Sequence, residues 1–329
     1  MPQIGAGTDI DEDISAWISA KPMTTLISVF GGDPRLLTAS MDVSNRLAWL
    51  DTFTDQWEKA ARTDPETGKL LERNEAKEIS LTEQQTELVL AAADALGLRE
   101  VARPKHASYD YVLILGGLLR ACICRPAYAA ELIQAGVITA RSVVALGGHR
   151  PFGGDEFSLA EAVGLSDVRE EYEALDKGTR LAFGLTEPDS EVGEESDLPG
   201  GTWGVRRYQS AAGLQIAVTA APSSEPRKRR ANTPDAYQWF AERFAALKPG
   251  QRVLAVTTPI NVPTQHAAAL RMLTLPYGVE VETIGYNPDL LPPALLQVFS
   301  PTKYLLEVRT AVRSIRQLHD ALQEPTRLG

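Results

Sequence analysis

Cysteine is almost absent from this chain, with two in 329 residues. Cys122 and Cys124 stand one residue apart, offer no disulfide framework and fit a reducing cytoplasm. No apolar run reaches the roughly 18 residues that a membrane-spanning helix needs, so no membrane partner is expected. The N-terminal M-P-Q-I-G-A-G-T-D-I-D-E-D lacks the basic and apolar regions of a secretory signal. Basic side chains are outnumbered 33 to 43 by acidic ones, giving a net charge of −10. A nucleic-acid partner, which needs a broad basic face, is therefore not expected, although a local pocket for a small anion is still allowed. Several catalytic signatures are also missing: G-x-G-x-x-G after a strand, G-x-x-x-x-G-K-[ST], G-x-S-x-G and H-E-x-x-H. Their absence argues against ordinary dinucleotide binding and P-loop phosphoryl transfer, and no ligand spacing points to a metal.

What remains is a composition of 44% hydrophobic and 23% charged residues, normal for a globular protein. The chain centres on Y-D-Y-V-L-I-L-G-G at 109–117. Residues 111–115 form a continuous apolar run of β-formers, as in a parallel strand covered on both faces, and Gly116-Gly117 ends it. The first hundred residues read as a mostly helical lobe or cap. Leu47, Leu50, Phe53 and Trp57 recur at helical spacing over 43–62. A second helix spans 80–96, with Ser80/Glu83 and Thr82/Gln85 as alternative capping boxes. Residues 24–30 read equally as a strand or a buried helix.

From residue 101 to 329, strands alternate with helices. Strands are expected at 111–115, 142–146, 214–221, 252–256 and 279–284. Helices are expected from Arg125-Pro126, over 166–183, from Thr233 as N-cap, over 264–273 and over 301–322. The acidic, turn-rich 187–201 reads as an exposed insertion. This alternation predicts a mainly parallel α/β sheet with helices on both faces.

In such a sheet ligands bind beyond the carboxyl ends of the strands. The exits 116–120, 147–150, 222–233 and 257–261 carry four glycines (116, 117, 147, 148) and the hydroxyls of Thr257 and Thr258. They also carry Arg120, Arg150 and the basic run 227–230, which includes Arg229 and Arg230. Such a concentration suggests an anionic small molecule held by arginine forks and helix N-termini; the alternative is a solvated basic loop. His149, beside the second glycine pair, and His266, near a helix start, are the candidate proton-transfer residues. His106 and His319 read as surface residues. Asn232 reads either as a ligand contact or as a helix cap.

The ordered set L-G-G at 115–117, Arg125 before A-x-x-L-x-x-x-G, Gly147-Gly148, Asn232-Thr233 and V-T-T at 256–258 resembles the SanA/YdcF-like family. That resemblance covers about residues 109–284. It implies a doubly wound, Rossmann-like sheet with a cleft at Gly116, Gly117, Arg125, Gly147, Gly148, Asn232, Thr233, Thr257 and Thr258. It also implies S-adenosylmethionine or a nucleotide as ligand. Relatives often place a cleft glutamate where Glu170 and Glu171 stand, although both also fit a solvated helix face. Where the family has a histidine and then an arginine, this chain has Asn261 and Thr264, with Gln265 and His266 available as substitutes. The resulting expectation is a cytoplasmic enzyme binding an anionic, nucleotide-like molecule and catalysing group transfer or hydrolysis. A binding protein that kept the cleft without the chemistry is the alternative. Beside the anionic small molecule, a homodimer is the further assembly the sequence leaves open.

Overall fold

A computed structural model describes residues 4–5, 9–38, 41–64, 66–71, 75–291 and 293–324. In chain order it has α1 (Ile10–Ser19), α2 (Lys21–Val29), α3 (Val43–Arg62), α4 (Glu83–Ala95), β1 (Ser108–Leu115), α5 (Leu119–Gln134) and β2 (Thr139–Gly147). Next come α6 (Glu156–Ala162), α7 (Glu171–Phe183), β3 (Ser190–Glu194), β4 (Trp203–Gln209), β5 (Gln215–Ala220) and α8 (Thr233–Trp239). The chain ends with β6 (Arg252–Thr257), α9 (Val262–Ala269), the single turn α10 (Leu275–Tyr277), β7 (Glu280–Gly285) and α11 (Pro301–Gln323). Packing divides it into a helical unit, Met1–Glu100 with Pro259–Arg271 and Gln297–Gly329, and a sheet unit, Val101–Thr258 with Met272–Leu296. No helix among the described residues is long and apolar enough to cross a membrane.

In the helical unit the ambiguous 24–30 resolves as α2, which has a proline in its first turn and buries Met23, Leu26 and Ile27 at helical spacing. Thr82 and Gln85 make the capping box of α4, so the second of the two alternatives forms. Ser300 caps α11, whose apolar stripe from Tyr304 to Leu318 is buried, partly against α3 and α9. Within this unit α11 also pairs the buried Arg309 with Asp51, Asp55 and Glu58 of α3. A cut at residue 100 would assign α11 to the sheet; its packing assigns it to the helices. His319, read from sequence as a surface residue, is 3% exposed.

The sheet unit holds seven strands in the order β3-β4-β5-β2-β1-β6-β7. The five from β5 to β7 are parallel, and β3 and β4 are antiparallel additions at one edge. All five expected strands form. Leu115 pairs with Leu146, Ile114 with Val256, Gly147 with Ala220 and Thr257 with Gly285. Their carboxyl ends therefore share one edge. The stretch 187–201, read as an exposed insertion, is mostly exposed and folds in part as β3. Every residue of β3 is exposed, so no apolar alternation marked it.

Two helix starts are also corrected. Pro126 does not open α5 but sits inside it, seven residues after its first. A proline lacks the N–H that would bond the carbonyl four residues back, here Cys122. That carbonyl packs against Gly178 of α7, where any Cβ would collide with it. The proline and the glycine thus let α5 and α7 approach closely. In addition, α7 begins at Glu171 rather than 166, because Glu170 bridges to Pro151.

Candidate functional site

The exit of β2 is shaped by a short antiparallel bridge. Glu171 N–H donates to Arg150 O at 2.9 Å, and Phe152 N–H donates to Arg169 O at 2.9 Å. Side chains alternate along such a bridge. Arg150 accordingly meets Glu171, and His149 meets Tyr172 edge-on at 5.2 Å between ring centroids.

Arg150 is the hub of this exit. It grips Glu156 with both terminal nitrogens, at 2.7 and 2.8 Å, and donates from Nε to Glu171 at 3.1 Å. A further bond reaches Gly117 O at 3.0 Å. Glu156 also accepts from the N–H of Leu119, at the start of α5, and from that of Gly153. A carboxylate of the chain itself thus fills the cradle that arginine and a helix N-terminus would offer an anion. Burial pushes Glu156 up, but the Arg150 fork and two amides win and hold it below the usual carboxylate range. The balance reverses at Glu171: burial is the largest influence and raises it despite Arg150. Its Oε1 lies against Gly116, where a Cβ would collide with that oxygen and stand 2.9 Å from Leu146 O. Gly116 is therefore a close-approach glycine whose neighbour is an internal carboxylate.

His149 differs from its neighbours. Its Nδ1 lies 3.0 Å from Oε1 of Glu170, while Nε2 is buried and has no hydrogen-bond partner. An ionised carboxylate only accepts, so Nδ1 is the donor of this pair; in the neutral ring Nε2 then holds the lone pair. The Tyr172 hydroxyl, buried nearby, also lacks a partner, and Arg206 stacks on that ring at 4.8 Å.

Most of the remaining predicted residues make contacts within the chain. Arg125, 3% exposed, donates to Leu115 O, Gly116 O and the Thr258 hydroxyl, bracing the exits of β1 and β6. Thr257 is fully buried. Arg120 donates to Ala294 O at 2.7 Å. Arg229 is forked onto Asp235, which also accepts from the N–H groups of Ser224 and Asn232. Asn232, not Thr233, caps α8, with Thr233 as its first residue. Arg230 is exposed, and its neighbour Ala231 lies 3.6 Å from a Cβ built on Gly148, so this loop borders the His149 exit. Asn261, Gln265 and His266 belong to the helical unit. There Asn261 donates to Glu307, and the buried His266 ring bonds Ile4 O at 2.6 Å. The sequence reading missed Glu156 and Tyr172. Tyr172 is adjacent to the flagged glutamates, whereas nothing local marked Glu156.

A family model described as the Rv3785 N-terminal domain matches residues 3–97. Two relatives are uncharacterized protein Mb3814 of Mycobacterium bovis and uncharacterized protein Rv3785 of Mycobacterium tuberculosis H37Rv. Each is 27% identical over 333 aligned positions, covering 96% of this chain and 91% of the relative. No solved structure matches. These findings correct the SanA/YdcF-like resemblance: the similarity is to Rv3785 and to its N-terminal domain.

Proposed function

We propose that the sheet unit is a doubly wound, Rossmann-like enzyme that binds an anionic, nucleotide-like small molecule at its carboxyl edge and catalyses group transfer or hydrolysis. The strand order supports the winding: from β1 the chain builds outward through β2 to β5, then returns to lay β6 and β7 on the other side. One observation carries the chemistry, namely His149 oriented by Glu170 with its Nε2 unpartnered. A histidine held in one tautomer by a carboxylate is suited to take a proton from a bound hydroxyl or water and return it to a leaving group. Arg230 is the exposed cation best placed to meet the anionic group, since Arg150 and Arg229 are occupied by Glu156 and Asp235.

That same self-neutralisation favours a second reading, a binding protein without turnover. The experiment has two steps. Mass spectrometry of what the native chain retains and denaturation releases identifies the molecule, and its conversion is then followed with the wild type and His149→Gln. The enzyme reading expects turnover that falls about 10²–10⁴-fold in the variant with binding kept. Binding without turnover in the wild type favours the second reading.

A further inference from the structure

We propose that the helical unit carries a separate active centre, a Ser44–His319–Asp11 triad that hydrolyses carboxylic esters through an acyl-Ser44 intermediate. His319, 3% exposed near the end of α11, places Nε2 2.7 Å from the Ser44 hydroxyl and Nδ1 2.6 Å from Oδ1 of Asp11. Asp11 lies in the first turn of α1, and Ser44 is the second residue of α3. Three segments far apart in sequence thus deliver nucleophile, base and orienting carboxylate in hydrogen-bonded series. That geometry, not sequence order, identifies such triads.

The tautomer follows from the donors. The Asp11 carboxylate accepts the Nδ1 proton, which leaves the Nε2 lone pair to accept from the Ser44 hydroxyl. Ser44 is exposed and its histidine sheltered, so an ester can reach the oxygen while the base stays fixed. The first amides of a helix have no acceptor within it. Those of Val43 and Ser44 stand at the positive end of α3, next to the nucleophile. The neighbouring Asn45 amide is already bound by the N-cap Asp42. A developing oxyanion near Ser44 is favoured by that end of the helix.

The chemistry balances without a cofactor. Ser44 Oγ bonds to the ester carbonyl carbon as its proton passes to His319 Nε2. The carbon–oxygen bond to the leaving alcohol then breaks, and His319 returns the proton to that oxygen. Water attacks the acyl-Ser44 carbon and gives its proton to Nε2. The bond to Oγ breaks as Nε2 returns that proton to Oγ, releasing the carboxylic acid and restoring Ser44 and neutral His319.

The test uses the full-length chain, an alkyl fluorophosphonate and p-nitrophenyl acetate. We expect phosphonylation at Ser44, located by peptide mapping, and ester hydrolysis with a burst of one nitrophenol per chain. In His319→Gln both rates should fall on the order of 10²–10⁴-fold. An unmodified Ser44 in a natively melting chain overturns the proposal, as does equal labelling in His319→Gln. Ser44→Cys adds a readout independent of the ester: its alkylation by iodoacetamide near neutral pH should depend on His319. Equal alkylation with and without His319 overturns the proposal.

Discussion

The Nδ1 of His149 is 3.0 Å from Glu170 Oε1, whereas the next residue in each segment, Arg150 and Glu171, forms a second pair at 3.1 Å. One bridge between two short segments thus builds two different devices. The ion pair is tied into a closed network, and the histidine keeps one buried nitrogen without a hydrogen-bond partner. The first prediction separates them. Glu170→Gln should slow turnover less than His149→Gln, because it removes the orienting charge and not the base. Arg150→Lys should instead lower stability, since a lysine cannot fork onto Glu156. Steady-state kinetics and urea melts on the three variants check this. Equal kinetic effects of His149→Gln and Arg150→Lys would contradict it.

Glu156 carries the second prediction. Its partner Arg150 is largely buried but keeps Glu171 and Gly117 O, so Glu156→Gln should destabilise the sheet unit by about 1.5–3 kcal/mol. The folded carboxyl titrates below its unfolded value, so the stability it contributes is present above about pH 4.3 and is lost as pH falls through the folded pKa. Wild-type stability should therefore decline more steeply below pH 4.3 than that of Glu156→Gln, as measured by urea midpoints across that range.

Glu171 should show the opposite sign. Burial raises its folded pKa, so its contribution is present below about pH 4.3 and lost as pH rises through that raised value. Glu171→Gln should therefore destabilise less at pH 7 than Glu156→Gln. Gly116→Ala presses a methyl group onto the same carboxylate and should cost about 1–3 kcal/mol. Combining Gly116→Ala with Glu171→Ala should recover part of that loss, and strict additivity in a double-mutant cycle would contradict the close approach.

The cysteines give a fourth prediction. Burial pushes the Cys122 thiol well above its usual range and Cys124 up to about 11. Neither is a nucleophile near neutral pH. Iodoacetamide at pH 8 should leave both unmodified in the native chain and alkylate both in urea; rapid native labelling of either would contradict their burial.

The parallel strands were legible because they are short, largely apolar runs closed by glycine or proline turns. The helices α3 and α11 were legible because their stripes keep helical period. The exposed β3 carries no such period, and Pro126 looked like a helix start because local rules do not see Gly178 across the packing interface. At the candidate site, His149 was found from the glycine pair beside it, and Glu171 only through the family resemblance. The self-filled cradle was not, since the Glu156–Arg150 pairing depends on how the 148–156 loop folds back. Ser44, His319 and Asp11 meet only through the packing of α1, α3 and α11.

The most direct test of the account is a crystal structure of the chain grown with the small molecule released from it by denaturation. The proposed function predicts that molecule at the carboxyl edge of the sheet, with a polar atom within hydrogen-bond distance of His149 Nε2 and its anionic group facing Arg230. A molecule bound elsewhere, with His149 Nε2 still unpartnered, would contradict it.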